Sequence, residues 1–295
     1  FRVERVDGRD RDLGYFRHFV DPTDPLIRTM GSHSHGILVT SATLTSGQTH
    51  QEETANMDPW GIAEVRTGAR HLLKPALRVK VNSPYNYAEN SQILIVGDVP
   101  KDRPRAVANA YKRLFLAANG GSIGLFTAVS RLIATQGAIV DDIEQAGLRL
   151  LAQHVDPIAT GTLIDIFRDE TNACLLGTDA VRDGVDVPGR SLRQIVFDRV
   201  PWPRPDIVHK ARREAFGGRD YDETVVRLKL KQGFGRLIRR FDDRGVFVLL
   251  DGSMPSRLED AFPDQAPIWR CGIDEAVDRV KAFVGEQSKQ KNPRQ

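Results

Sequence analysis

A glutamine and two arginines stand at helical spacing in the segment QGFGRLIR, residues 232–239. On a helix predicted over residues 222–240, Gln232, Arg236 and Arg239 occupy positions i, i+4 and i+7 and share one stripe. Two glycines inside that helix each cost about 1 kcal/mol relative to alanine, a cost that close packing against a ligand or a neighbouring domain offsets. Paired guanidinium groups suit the γ-phosphate of a nucleoside triphosphate. The alternative is a row of salt bridges on the surface.

A second polar segment combines glycines, aspartates and a proline after an apolar run, in the sequences LGTD (residues 176–179) and DGVDVPG (residues 183–189). Glycines such as Gly184 let a ligand approach the backbone closely. A carboxylate such as Asp186 accepts hydrogen bonds from a ribose hydroxyl or from water. The segment is therefore a candidate nucleotide contact, and ordinary turn chemistry is the alternative.

Small hydroxyl residues end two further apolar runs, TSATL at residues 40–44 and LFTAVS at residues 125–130. Hydroxyls at the end of a strand can hydrogen-bond to phosphate. Thr127 and Ser130 flank the start of a predicted helix, whose N-terminus adds its own attraction for a backbone phosphate. Simple N-capping of that helix is the alternative for LFTAVS, and an ordinary strand end is the alternative for TSATL.

The elements that must position these residues alternate along the chain. Strands are predicted at residues 36–41, 92–97, 122–127, 148–153, 173–177, 192–198 and 245–251. Helices are predicted at residues 104–118, 129–146, 157–169, 206–216, 222–240 and 273–284, with Pro104 and Pro157 in first turns and Asp222 as an N-cap. Several strands are continuous apolar runs, which is typical of strands buried on both faces. This pattern predicts an α/β fold with a parallel sheet and helices on both faces, and we expect the four polar segments at the carboxyl ends of its strands.

Composition predicts a soluble globular protein. Hydrophobic residues make up 40% of the chain and charged residues 27%. No apolar run approaches the ~18 residues that a membrane helix needs, and the charged N-terminus lacks the apolar region of a signal peptide. Only two cysteines occur, Cys174 and Cys271, so we expect core residues in a reducing cytoplasm and no disulfide, zinc or iron–sulfur site.

Positive charge is concentrated in one part of the chain. The net charge is +3 overall, but residues 193–244 contain 14 Lys and Arg against 8 Asp and Glu, a local balance of +6. This stretch suits an anionic partner, either nucleotide phosphates or a nucleic-acid backbone. A solvated charged surface is the alternative.

Regularity divides the chain into three parts. Residues 1–91 form a less regular N-terminal segment that carries TSATL and either packs on the main domain or belongs to a missing partner domain. Residues 92–284 form the main domain, and residues 285–295 are polar and expected to be a disordered tail. The sequence begins with phenylalanine instead of methionine, so we expect it to be a fragment of a longer chain.

Together, the four segments resemble the motifs of the DinG family of superfamily 2 DNA helicases, relatives of the nucleotide-excision-repair helicase XPD. TSATL is similar to motif III, LFTAVS to motif IV, LLGTDAVRDGVDVPG to motif V and QGFGRLIRR to motif VI. Shorter matches are SPY at residues 83–85, VPWPRP at residues 200–205 and DDRGV at residues 242–246. The resemblance spans residues 36–251 and keeps the family's motif order.

This resemblance implies a RecA-like (P-loop NTPase-type) fold and the role of the second motor domain of a helicase. It implies that Arg236 and Arg239 are arginine fingers, which reach ATP held on the first motor domain. Gln232 is expected beside the nucleotide, and Gly184 and Asp186 at its edge.

The same resemblance implies contacts with single-stranded DNA. Thr127 and Thr178 are expected to contact its backbone together with Ser130, and the family implies unwinding with 5′→3′ polarity in the cytoplasm, in DNA repair. The N-terminal helicase domain of the same protein is the expected partner, with no membrane involved. Asp183 departs from the family pattern, because many relatives carry glutamate there, and this leaves its contact open.

Two helicase motifs are missing from the sequence. It contains no Gly-Lys-Ser/Thr phosphate loop and no strand-borne DEAH box, and the similar DEAV at residues 274–277 starts a predicted helix instead. We therefore expect ATP and Mg²⁺ to be bound mainly by the first motor domain, with no metal site here and any iron–sulfur cluster outside this chain. The chain alone is predicted to lack ATPase and unwinding activity.

Two other functions fit parts of the sequence. One is a stand-alone nucleic-acid-binding or protein-interaction module that kept the fold and lost the motor. The other is an unrelated α/β enzyme that uses Asp179, Asp183 and Asp186 for metal chemistry. A phosphate loop upstream in the parent protein favours the helicase, and tight metal binding favours the enzyme.

Overall fold

The computed structural model describes residues 2–6, 9–14, 17–45, 59–184, 186–187 and 189–290. The chain forms two units. The first unit comprises Phe1–Ser46, His50–Val79 and Pro203–Thr224, and the second comprises Gly47–Thr49, Lys80–Trp202 and Val225–Gln295. Within the described ranges, no helix is long and apolar enough to cross a membrane.

Strands and helices alternate through most of the described chain. The strands are β1 (Arg2–Val6), β2 (Arg9–Gly14), β3 (Ser91–Val96), β4 (Ser122–Leu125), β5 (Arg149–Ala152), β6 (Ala173–Gly177), β7 (Gln194–Phe197), β8 (Gly245–Leu249) and β9 (Ile268–Cys271). The α-helices are α1 (Thr23–His33), α2 (Pro59–Thr67), α3 (Tyr87–Asn90), α4 (Pro104–Ala118), α5 (Val129–Gln145), α6 (Thr160–Asp169), α7 (Asp179–Gly184), α8 (Ile207–Ala215), α9 (Arg219–Phe234) and α10 (Ile273–Gln290). Short 3-10 helices lie at Ala69–His71, Gly189–Ser191 and Ser256–Ala261.

The described strands of the second unit form one sheet of seven strands, in which every neighbouring pair is parallel. The order across the sheet is β5-β6-β4-β7-β8-β3-β9. The pairing aligns Leu125 at the end of β4 with Gly177 of β6 and with Phe197 of β7. The residues that follow these three strands therefore emerge side by side at the carboxyl edge of the sheet.

Helices cover both faces of this sheet, because alternate residues of each strand point to opposite sides. Ile93 and Ile95 of β3 belong to one hydrophobic cluster, which includes residues of α6 and α9. Leu94 and Val96 belong to the other, which includes residues of α4, α5 and α10. The α/β fold with a parallel sheet and helices on both faces is confirmed.

Two features of the predicted strands need correction. Residues 36–41 form no strand and are exposed, with Leu38 at 89% exposure. A strand buried on both faces needs neighbours on both sides, and this segment of the first unit pairs with no described strand. The sequence pattern also missed β9, because this edge strand is only partly buried and carries a charged residue, Arg270.

The helix starts are partly as predicted. Pro104 occupies the first turn of α4, and Asp274 and Glu275 lie in the first turn of α10. Pro157 was wrongly assigned to a first turn, since α6 begins at Thr160 after a tight turn. Helix α10 extends to Gln290, so residues 285–290 of the expected tail are helical, while residues 291–295 lie outside the described residues.

The first unit contains the antiparallel pair β1 and β2 and the helices α1, α2 and α8. Asp222 is no N-cap, because α9 has already begun at Arg219. Its carboxylate instead pairs with His209 (2.8 Å) and Arg213 (2.9 Å), which lie on α8. This ion pair network joins α8 to the start of α9.

Candidate functional site

The carboxyl end of β4 brings Thr127 against a buried aspartate. Asp198 directly follows β7 and accepts hydrogen bonds from the Thr127 N–H (3.1 Å) and from Arg131 Nε (2.7 Å). Burial raises the pKa of Asp198 above its ordinary value, and the hydrogen bond from Arg131 opposes that rise. Ser130 is exposed in the first turn of α5, whose N-cap residue is Ala128 and whose N-terminus has no side-chain cap. Simple N-capping by the threonine or serine is therefore excluded.

Thr178 occupies the equivalent place at the end of β6, the neighbour of β4. Its N–H and its hydroxyl both donate to Gln153 Oε1, at 3.0 and 2.9 Å. The other end of the same buried amide donates to the Thr160 hydroxyl at 3.1 Å. Gln153 follows β5, so a side chain from the end of the neighbouring strand holds Thr178 at the same edge as Thr127.

The aspartates of the glycine-containing segment are each paired with a cation. Arg182 of α7 is buried and contacts Asp179 (2.7 Å) and Asp183 (3.0 Å), and Lys229 of α9 contacts Asp179 at 3.2 Å. Asp186 pairs with an arginine described below. In the described part of the chain, no group of three acids, histidines or cysteines is placed to bind a metal ion.

Arg182 was overlooked at the sequence level. Its only sequence signal is its place between two acids, three residues after Asp179 and directly before Asp183. A buried arginine needs such partners, because an unpaired buried charge is strongly unfavourable. We therefore regard Arg182 as the residue that holds α7 in shape.

The helix that carries the glutamine and the arginines ends earlier than predicted. Helix α9 contains Gln232 but ends before Arg236, which lies in the following turn, and Arg239 lies outside any helix. The predicted stripe of all three on one helix is therefore wrong. The last helical residue is followed by Gly235, a residue type that is common where helices end.

The free-energy cost of the second glycine, Gly233 within α9, is offset by packing inside this domain. A Cβ atom at Gly233 would lie 2.8 Å from the ring of Phe197 on β7. Only glycine therefore lets α9 lie this close to the sheet. The predicted packing of this glycine against a ligand or a neighbouring domain is therefore wrong for Gly233.

Residues 235–240, the arginine segment, lie in the connection from α9 to the amino end of β8. The expectation that they lie at the carboxyl end of a strand is therefore also wrong. The two arginines nevertheless converge on the connection from α7 to β7: Arg236 Nη2 donates to the carbonyl of Asp183 (3.0 Å), and Arg239 pairs with Asp186. Burial, and then the charge of Arg239, lower the pKa of Arg236 below its ordinary value.

Asp243 fixes the backbone of the arginine segment. This buried carboxylate accepts hydrogen bonds from the N–H groups of Arg239 and Arg240, both at 2.8 Å, and from the Gly189 N–H at 3.0 Å. It therefore ties the arginine segment to the end of the segment that contains Gly184 and Asp186. The DDRGV match contains Asp243, but no local sequence pattern predicts these contacts.

The segment TSATL belongs to the first unit. Its Thr43 and Leu44 carbonyls accept hydrogen bonds from Arg66 Nη1 at 3.3 and 3.4 Å. The Ser41 hydroxyl lies 3.1 Å from that of Thr43. Two of its hydroxyls, those of Ser41 and Thr43, are thus engaged with each other.

The sequence of the chain also shows to which protein family it belongs. Residues 111–267, which include Thr127, Thr178, Arg236 and Arg239, match the helicase C-terminal domain. The chain belongs to this family. The resemblance of this helicase C-terminal domain to DinG helicases is confirmed by relatives at about 30% identity.

Two relatives and one solved structure illustrate the match. The chain is 31% identical over 247 residues to "ATP-dependent helicase DinG" of Mycobacterium tuberculosis, covering 79% of this chain and 35% of that protein. It is 26% identical over 258 residues to "3'-5' exonuclease DinG" of Bacillus subtilis, covering 83% of this chain and 26% of that protein. The chain thus spans about a quarter to a third of the length of these curated relatives.

The solved structure is S. cerevisiae Dbp5 bound to RNA and ADP BeF3, with 17% identity and a TM-score of 0.50. The match covers 76% of this chain and 52% of the Dbp5 chain. At this identity the likeness concerns the fold alone. The RecA-like fold that the motif resemblance implied is confirmed.

Proposed function

We propose that this chain is the C-terminal motor domain of an ATP-dependent DNA helicase of the DinG family. One observation carries the proposal: Arg236 and Arg239 come together beside Asp183 and Asp186, although they do not share a helix. Two guanidinium groups at one place are the donors that a transferring phosphoryl group needs. Membership of the helicase C-terminal domain family supports the same conclusion.

In this proposal, both arginines act on ATP held by the N-terminal helicase domain of the same protein, with Gln232 beside the nucleotide. Arg239 exchanges its ion pair with Asp186 for the γ-phosphate, and Asp186 then faces the nucleotide edge beside Gly184. The required Mg²⁺ neutralises phosphate charge on that first domain. In the described part of this chain the aspartates near the arginines already have cationic partners, so we assign no metal to them.

We assign DNA contacts to the other edge of the same sheet. Thr127, Ser130 and Thr178 place hydroxyl groups at neighbouring strand ends. A hydroxyl that exchanges its present acceptor for a phosphate oxygen suits the backbone of single-stranded DNA. Closing and reopening the two motor domains then moves the strand, and the motif resemblance favours 5′→3′ polarity. It also favours a cytoplasmic location, a role in DNA repair, and an iron–sulfur cluster, if present, outside this chain.

Reconstitution with the N-terminal helicase domain tests the proposal. We expect no DNA-stimulated ATP hydrolysis by this chain alone, and hydrolysis once the N-terminal domain is added with single-stranded DNA. Arg236→Ala and Arg239→Ala should each lower kcat by roughly a thousandfold. Arg240→Ala is the matched control, because this exposed arginine lies next to Arg239 in the chain.

Three results would contradict parts of the proposal. Hydrolysis by the isolated chain would refute the division of labour between domains. Normal kcat in both arginine variants would refute the fingers, and a full-length protein without ATPase activity would favour the non-catalytic binding module. Unwinding of substrates with a 3′ tail but not a 5′ tail would refute the polarity.

A further inference from the structure

Tyr85 reaches from the start of the second unit to the arginine segment. Its hydroxyl donates a hydrogen bond to the backbone carbonyl of Arg239 at 2.7 Å, across 154 residues of sequence. The Tyr85 ring packs edge-on against Phe241, with ring centroids 5.6 Å apart. From the end of α3, Asn90 Nδ2 donates to the Phe241 carbonyl at 3.2 Å. The segment before β3 therefore holds the chain on both sides of Arg240.

The peptide groups of Arg239 are held at both ends. The Arg239 carbonyl accepts from Tyr85, and the Arg239 N–H donates to Asp243 at 2.8 Å. Arg239 lies in neither a helix nor a strand. The hydrogen bonds to these two side chains therefore replace the backbone hydrogen bonds of a helix or sheet, which would otherwise fix its backbone. A long arginine side chain can place its guanidinium reproducibly only if its backbone is fixed.

We propose that Tyr85 is a positioning residue, whose hydroxyl sets where the Arg239 guanidinium meets the nucleotide. The proposal rests on the function assigned to Arg239 above. Tyr85 acts through the peptide and does not touch ATP. The SPY match gave it no role, and phenylalanine at this position would keep the ring contact but lose the hydrogen bond.

The test compares two tyrosines that differ in their partners. Tyr87 lies two residues on, is also partly buried, and shares its hydroxyl hydrogen bond with Ser83 (2.9 Å) instead of Arg239. In the full-length protein, we expect Tyr85→Phe to lower kcat of ATP hydrolysis on single-stranded DNA roughly three- to tenfold, with KM for ATP unchanged. Tyr87→Phe should leave kcat within about twofold. An equal loss in both variants would show that the hydrogen bond to Arg239 has no special effect, and would overturn the proposal.

A double variant tests whether Tyr85 acts through Arg239. If it does, adding Tyr85→Phe to Arg239→Ala should cause no further loss of kcat, because the residue being positioned is gone. The same fold loss in both backgrounds would overturn the positioning role. A normal kcat for Arg239→Ala would overturn the proposed finger itself. A large loss for Arg239→Ala with normal kcat for Tyr85→Phe would overturn only the role of Tyr85.

Discussion

The two candidate regions of this domain are held in place by different means. Thr178 directly follows β6 and Thr127 comes two residues after β4, so the sheet ladder fixes the backbone beside them and Asp198 or Gln153 completes each site. The arginine segment has no such ladder and depends on side chains that are distant in sequence, above all Asp243. Strand-end positions are thus set by local structure, whereas the arginine positions arise only from the complete tertiary fold.

Helix α7 connects the two regions. The carbonyl of Thr178 accepts the first hydrogen bonds of this helix, and the carbonyl of Asp183 near its end accepts from Arg236. Arg182 lies between them, buried and paired with two aspartates. Under the proposed function, a displacement at the DNA edge therefore reaches the arginines through six residues of helix.

The largest effect is expected where the arginine segment depends on one side chain. Asp243→Ala leaves three backbone N–H groups without their acceptor, and should lower the free energy of unfolding by roughly 3 kcal/mol. Urea denaturation followed by circular dichroism measures it. Asp264→Ala removes an exposed aspartate and should change stability by less than about 0.5 kcal/mol. Equal values for the two variants would show that Asp243 does not hold this segment.

A smaller effect concerns the pH dependence of stability, in which two buried aspartates at the carboxyl edge are expected to differ. Burial raises the pKa of Asp198 above the ordinary 3.8. Burial also opposes ionisation of Asp251, which follows β8, but hydrogen bonds from Ser253, the Val200 N–H and Lys101 outweigh it and hold its pKa below 3.8. The carboxylate of Asp251 therefore stabilises the fold above pH 3.8, and this stability is lost as pH falls through the lowered pKa.

Asparagine variants should therefore diverge with pH. Relative to Asp251→Asn, the unsubstituted chain should gain stability as pH rises towards 3.8. Relative to Asp198→Asn, it should lose stability as pH rises from 3.8 through the raised pKa, because the folded state binds the proton more tightly. Urea denaturation in buffers on both sides of 3.8 measures both differences. Slopes of the same sign would contradict the assignment.

The smallest effect concerns the hydroxyl at the end of β6. Thr178→Val removes a donor to Gln153 and the proposed phosphate contact, and should weaken binding of single-stranded DNA by roughly fivefold. Fluorescence anisotropy with labelled DNA measures the Kd. Thr160→Val is the control, because Thr160 meets the other end of the same amide. Equal weakening in the two variants would mean that the amide orientation matters and the Thr178 hydroxyl does not.

Sequence pattern predicted the sheet well because most of its strands are buried on both faces. Continuous apolar runs identified β3 to β8, whereas the partly exposed β9 gave no such run. The apolar segment 36–41 was wrongly predicted as a strand. An apolar run shows that a segment could form a buried strand, but a strand also needs neighbouring strands to pair with. Local composition therefore indicates which segments can form strands, and pairing with neighbouring strands decides which of them do.

The site was predictable only as far as local structure defines it. Thr127 ends one predicted strand and Thr178 follows another, so their common edge could be inferred. The pairing of Arg236 and Arg239 was inferred from helical spacing, but they meet after α9 has ended. The contact between Tyr85 and Arg239 spans 154 residues, and no local pattern reports such a contact.

The order of the sheet has a consequence for how the domain is made. Strand β3 is the first of the seven to leave the ribosome, yet its neighbours among the described strands are β8 and β9, the last two. Until residue 245 has been synthesised, Ile93, Leu94 and Ile95 belong to an apolar strand without a partner, a state prone to aggregation. A nascent chain that stalls before β8 therefore leaves the apolar strand β3 unpaired.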